Sequence, residues 1–212
     1  EKKLKGRVRL IFQPAEEINA GAKEVIASGA LEEVSAIAGI HNKPDLPLGT
    51  IGIKSGPLMA AVDRFEVKIN GTGTHAAAPQ NGNDPIVTAS QIVTSIQSIV
   101  SRYVSPADMA IISVTRISGG NTWNVIPESV VMEGTMRTFK KSVQERIKKL
   151  FIQVIKNYTE AFEQKYEILW GDSHPFVDND ETLAKLIGEE VSVFADVKVP
   201  EMTTGGEDFS FY

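Results

Sequence analysis

The stretch from 63 to 170 constrains the fold most, because its hydrophobic period switches between strand-like and helix-like in a fixed order. Phe65, Val67 and Ile69 alternate with Glu66, Lys68 and Asn70, the pattern of a strand buried on one face. Gly71-Thr72-Gly73 opens a loop that runs through His75 to Pro79. Asp84-Pro85 supplies an N-cap and a first-turn proline. Ile86, Ala89, Val93, Ile96 and Val100 then recur at helical spacing. A strand is predicted over 109–117, a turn at Gly119-Gly120, and a second strand over 130–138. Ser142 and Glu145 read as a capping box for a long helix carrying Val143, Ile147, Leu150, Val154 and Tyr158. A last strand over 166–170 closes the unit. The order is β-α-β-β-α-β, a split, ferredoxin-like arrangement.

The flanking segments carry a different rhythm. Residues 7–12 (RVRLIF) are rich in Val, Leu, Ile and Phe and predict a strand, which Pro14 should stop because it has no amide hydrogen to donate. A helix is predicted over 20–28, closing at Gly29, and a second apolar strand over 34–40, ending on His41. A third follows over 50–53. After Gly171 the same pattern resumes: Asp180 caps a helix over 181–193, and a short strand over 197–199 leads into Thr203-Thr204-Gly205-Gly206-Glu207-Asp208. The expected class is α/β: a partial α/β domain formed by 1–62 and 171–212, with a ferredoxin-like unit, 63–170, inserted into it.

Composition removes several classes of function. A net charge of −5 and a pI near 5.3, with no basic patch interleaved with aromatics, argue against nucleic acid as a partner. No apolar run approaches the ~20 residues of a membrane span. There is no cysteine, hence no disulfide and no thiolate ligand. No signal peptide is visible, and a cytoplasmic location is expected. The first and last residues read as interior positions of a domain, so the chain reads as a fragment.

The chemistry is expected where the first strand ends. Glu16 and Glu17 follow Pro14 directly, and side chains at adjacent positions diverge. One can bind a metal while the other moves protons; the alternative is an acidic first helical turn favoured by the macrodipole. A carboxylate and His41 at the ends of two apolar strands form half of a metal site. Asn124 either makes a functional contact or an Asx-turn before Pro127. Arg137 either grips a ligand or forms a surface ion pair. His174, at a junction, is read as structural.

The stretches FQPAEE, GIH, GPLMAAVDRFEVKINGTGTHAAAP, DPIVTASQIVTSIQSIVSR, NVIPESVVMEGTMRTF and GGEDFSFY together resemble the dinuclear metallo-amidohydrolases: aminoacylases, hippurate hydrolases, indole-acetyl-amino-acid hydrolases and N-acetyldiaminopimelate deacetylases. The resemblance covers nearly the whole chain. It implies a catalytic α/β domain holding two divalent metal ions, zinc or manganese, and an inserted lid that forms a homodimer. It implies small N-acyl amino acids as substrates. Glu16 then resembles the general base; Glu17 and His41 resemble metal ligands. His75 resembles a histidine that steadies the oxyanion in a neighbouring subunit's site. Asn124 and Arg137 resemble groups that hold the substrate, and Gly205, Gly206 and Glu207 fall in a loop near it. The family's upstream Cys-and-His motif and its last His are not in this chain, and Gln80 stands where many relatives carry a second His. The chain alone is therefore expected to bind metal weakly, or not at all, and to be inactive. A non-catalytic small-molecule-binding or dimerisation module is the other reading.

Overall fold

A computed structural model describes residues 5–212. A 3-10 turn at Glu16–Ile18 precedes α1 (Gly21–Ala27), and β1 (Thr50–Gly52) and β2 (Gly56–Met59) follow. The central unit contains β3 (Ala61–Asn70), β4 (Thr74–His75), α2 (Pro85–Tyr103), β5 (Ala110–Gly119), β6 (Val125–Ile126), β7 (Ser129–Thr138), α3 (Lys141–Ala161) and β8 (Lys165–His174). The chain continues through β9 (Val177–Asn179), α4 (Glu181–Val191), β10 (Asp196–Lys198) and a 3-10 turn at Asp208–Phe211.

The four long strands form one sheet in the order β5-β7-β3-β8, every neighbour antiparallel. With α2 after β3 and α3 after β7, this is the ferredoxin-like topology that the periodicity predicts. Alternation does what it must: Phe65, Val67 and Ile69 of β3 and Val130, Met132 and Met136 of β7 point to the helical side and are fully buried. They pack with Ile92, Ile96 and Ile99 of α2 and Ile147, Phe151 and Ile155 of α3 in a single core. Each such side chain contributes about 1.5–3 kcal/mol on burial. Gly134 stands opposite Phe65, where a Cβ would fall 2.3 Å from the Phe65 ring; its bare backbone makes room for that ring, which stacks at 4.6 Å on Phe151.

Capping follows the expectation at two helices and departs from it at a third. Asp84 accepts from the amides of Ile86 and Val87, and Asp180 from that of Leu183. At α3 the Ser142–Glu145 box does not form: the helix leaves β7 two residues earlier, so Lys140 takes the cap position with no side-chain hydrogen bond. Ser142 is already inside the first turn.

The strands expected over 7–12 and 34–40 are not strands. A strand exists only as one member of a ladder, and neither segment finds a partner among the described residues. Several of their apolar side chains stay in solvent, Phe12 at 90% and Ile40 at 100% exposure, while Ile11, Val34 and Ile37 are partly buried. The shorter elements do pair: β1 with β10 in parallel, β2 with β9 antiparallel, and β4 with β6 antiparallel. No helix among the described residues is long and apolar enough to cross a membrane.

Candidate active site

The PAEE turn and the GGED loop meet although they lie at opposite ends of the chain. Asp208 is completely buried and receives three hydrogen bonds. Gln13, 195 positions away, donates through Nε2 to both carboxylate oxygens at 2.8 and 3.0 Å, and the Ala22 amide donates to Oδ2 at 3.0 Å. Gln13 is held in turn by Tyr212, whose hydroxyl donates to Gln13 Oε1 at 2.7 Å. This anchoring brings the ligand atoms of Glu16, Glu207 and Asp208 within 4.8 Å of one another. His41 joins from outside, its Nδ1 2.7 Å from Glu207 Oε2.

Crowding carboxylates has a definite electrostatic consequence. Partial burial pushes the Glu16 carboxyl above the ordinary range, and the charges of Glu207, Asp208 and Glu17 push it the same way; a hydrogen bond with the Asp208 backbone offsets part of this. A group so tuned holds a proton more readily than a free glutamate. Glu17 points into solvent and lies outside the cluster of ligand atoms. The two adjacent glutamates therefore differ in environment, as their divergent directions predict.

The donor chemistry fits a divalent ion. The carboxylates of Glu16, Glu207 and Asp208 crowd together with the His41 imidazole at their rim, and the exposed Glu17 carboxylate and the half-exposed His41 ring are the donors a cation would take up. Carboxylate oxygen with imidazole nitrogen suits zinc, manganese and their neighbours.

The remaining candidates fall into two groups. His75 and Asn124 are brought together by the β4–β6 ribbon: His75 pairs with Val125, and the Ala76 amide donates to the Asn124 carbonyl at 2.9 Å. The His75 ring is exposed and is not in the carboxylate cluster. The Asn124 side chain accepts from the Thr122 hydroxyl. Arg137, in β7, turns to the GGED loop, donating from Nε to the Thr204 carbonyl at 3.2 Å. Its Nη1 bonds the Thr135 hydroxyl and the Met136 carbonyl, so a two-toothed grip on a ligand carboxylate has only Nη2 uncommitted by these bonds. The Gly205 carbonyl accepts from the Ala60 amide at 3.0 Å, and Gly206 packs against His174. These two glycines seat the loop on the sheet.

Sequence reasoning missed Gln13 and Asp208 and undervalued Glu207. A signal was present. Glu207-Asp208 repeats, after a turn, the adjacent-carboxylate signature of Glu16-Glu17.

An α/β chain with a ferredoxin-like unit thus gathers three carboxylates and a histidine, the donor types of a candidate metal site, in its flanking segments. Residues 1–212 match peptidase family M20/M25/M40, and the chain belongs to that family. It is 49% identical over 211 residues to an N-acetyl-L-cysteine deacetylase of Bacillus subtilis, covering 99% of this chain and 50% of the relative. It is 38% identical over 224 residues to an IAA-amino acid hydrolase of Arabidopsis thaliana, covering 100% of this chain and 50% of the relative. Among solved structures, the Bacillus subtilis YXEP protein, a dinuclear metal binding peptidase from the M20 family, superposes with a TM-score of 0.80 at 41% identity, over 95% of this chain and 51% of that one. A protein of methicillin-resistant Staphylococcus aureus superposes with a TM-score of 0.89 at 27% identity, over 94% of this chain and 52% of that one. The chain thus spans about half the length of the relatives it matches.

Proposed function

We propose that this chain belongs to a metal-dependent hydrolase of the amide bond of N-acyl amino acids, with Glu16 as its general base. The observation that carries the reading is the Glu16 carboxyl, pushed upward by burial and by three neighbouring carboxylates beside an imidazole. The relatives' descriptions, an N-acetyl-L-cysteine deacetylase and an IAA-amino acid hydrolase, support the substrate class.

Two divalent ions, zinc or manganese, would be held by His41 and Glu17 here together with residues of the longer polypeptide; when bound they lower the pKa of a water and polarise the amide carbonyl. The chain's own residues do the rest. Glu16 takes a proton as the water oxygen attacks the carbonyl carbon. It then delivers that proton to the amide nitrogen as the C–N bond breaks, so the products are a carboxylic acid and a free amine. His75 of a neighbouring subunit donates to the developing oxyanion, a contact typically worth ~3–4 kcal/mol. Asn124 and Arg137 orient the substrate, Arg137 through Nη2. The segments 1–62 and 171–212 form the metal-binding part, and 63–170 forms the lid through which two chains pair. Support for pairing comes from the edges of β5 and β8, which have no strand partner among the described residues.

The test is metal analysis together with a panel of N-acyl amino acids, run on a longer polypeptide that carries this chain and matches its relatives in length. Release of free amino acid that disappears on chelation and returns with zinc or manganese is expected. Hydrolysis indifferent to chelation, or no hydrolysis at full metal occupancy, overturns the reading.

A further inference from the structure

We infer that Glu207 is a positioning residue, which fixes the tautomer and ring orientation of His41, and is not itself a metal donor. This rests on the proposed role of His41 at the metal centre. The proximity of Glu16, Glu207 and Asp208 makes all three look like ligands. What sets Glu207 apart is that its hydrogen bonds aim its carboxylate at the His41 ring.

Both oxygens of Glu207 are engaged by its own chain. Oε1 accepts the Phe209 amide at 3.2 Å, which makes Glu207 the cap of the Asp208–Phe211 turn. Oε2 faces His41 Nδ1 at 2.7 Å. The Glu207 side chain is 14% exposed and that of His41 55%, so the carboxylate is the fixed partner and the ring the one being held. Asp208 is equally committed, to Gln13 and Ala22.

An ionised carboxylate only accepts, so Nδ1 must carry the proton of a neutral His41 ring. The lone pair then lies on Nε2, at the opposite edge, ready for a cation. A carboxylate behind a ligating imidazole both orients the ring and makes it more basic. The other two histidines have distinct states: His75 accepts the Ala77 amide at Nδ1, which puts its proton on Nε2, and His174 Nδ1 stands 3.0 Å from the Pro175 carbonyl, which puts its proton on Nδ1.

The experiment is nitrogen–proton correlation spectroscopy of the imidazoles in the metal-free 212-residue chain, at a pH above the ordinary histidine range, followed by zinc titration of the longer polypeptide that matches the relatives in length. The expected spectrum has His41 protonated on Nδ1. Glu207→Ala returns His41 to the Nε2-protonated form, Glu207→Gln keeps the Nδ1 form because an amide oxygen still accepts, and His75 and His174 do not move. Zinc perturbs Nε2 of His41; Glu207→Ala weakens zinc binding by about 10–100-fold, and Glu207→Gln by clearly less. The inference is overturned if His41 is Nε2-protonated in the unaltered chain, or if Glu207→Ala leaves its tautomer unchanged. It is also overturned if Glu207→Gln weakens zinc as much as Glu207→Ala while the tautomer holds, since Glu207 would then be a donor. Failure of the underlying reading looks different: His41→Ala leaves zinc affinity untouched, while the dependence of the His41 tautomer on Glu207 still upholds the positioning claim.

Discussion

Gly206 lies so close to the His174 ring that a Cβ at position 206 would fall 2.2 Å from Nε2 and 2.6 Å from Val62 Cγ2. His174 is buried in β8, and Val62 is the ladder partner of both His174 and Arg137. The loop that carries Glu207 and Asp208 is thus bolted to one end of the four-stranded sheet. Arg137 holds the Thr204 carbonyl, and the Ala60 amide bonds the carbonyls of Thr203 and Gly205.

Gly206→Ala forces a methyl group into that contact. Overpacking of this kind costs about 1–3 kcal/mol. A lowered urea midpoint with an unchanged slope is expected; a midpoint equal to that of the unaltered chain would mean that the loop is not seated there.

The pH dependence of stability reports on the carboxylate cluster. Glu16 has a folded-state pKa above its unfolded one. Its contribution is therefore fully present below the unfolded pKa and is lost as pH rises through the folded value. In metal-free protein Glu16→Gln should melt at a higher temperature than the unaltered chain at neutral pH, by a small margin that salt reduces, because Glu16 is only partly buried. The two curves should converge as pH falls below the ordinary carboxylate range. A variant less stable at neutral pH than at low pH, relative to the unaltered chain, would show that Glu16 gains more from its neighbours than it loses.

The ferredoxin-like unit was legible because its signals are local. Phe65-Val67-Ile69 alternate within one strand, and Asp84-Pro85 mark a helix start within one turn. The segments 7–12 and 34–40 were not legible by the same means. Their β-propensity is real, but pairing is a tertiary property, and no neighbouring strand is present among the described residues to accept 7–12 or 34–40. The site divides the same way. The adjacent pair Glu16-Glu17 could be picked out from the residues around it, and the resemblance divided their roles, whereas the role of Gln13 depends on Asp208, reached only once the chain has folded back across nearly its whole length. The α3 capping box failed for a geometric reason: β7 and its two following residues run straight into the helix, so Ser142 never occupies the cap.

The proposed exchange of His75 between subunits predicts complementation. Two longer polypeptides, one with Glu16→Gln and one with His75→Ala, should each be inactive. After subunit exchange one site of every mixed dimer combines an intact Glu16 with an intact His75. Random assortment restores about a quarter of the unaltered activity for an isologous dimer. No recovery despite proven exchange would put His75 in its own subunit's site or in none.

The central claim is that Glu16 moves protons while Glu17 and His41 hold metal. The most direct measurement is metal content beside turnover for Glu16→Gln and Glu17→Ala in the longer polypeptide. A base must transfer a proton, so Glu16→Gln should lose activity by at least about 100-fold with near-normal metal content. A ligand must donate an electron pair, so Glu17→Ala should lose metal, and its activity should fall with it. Turnover retained by Glu16→Gln, or full metal content in an inactive Glu17→Ala, would contradict the assignment.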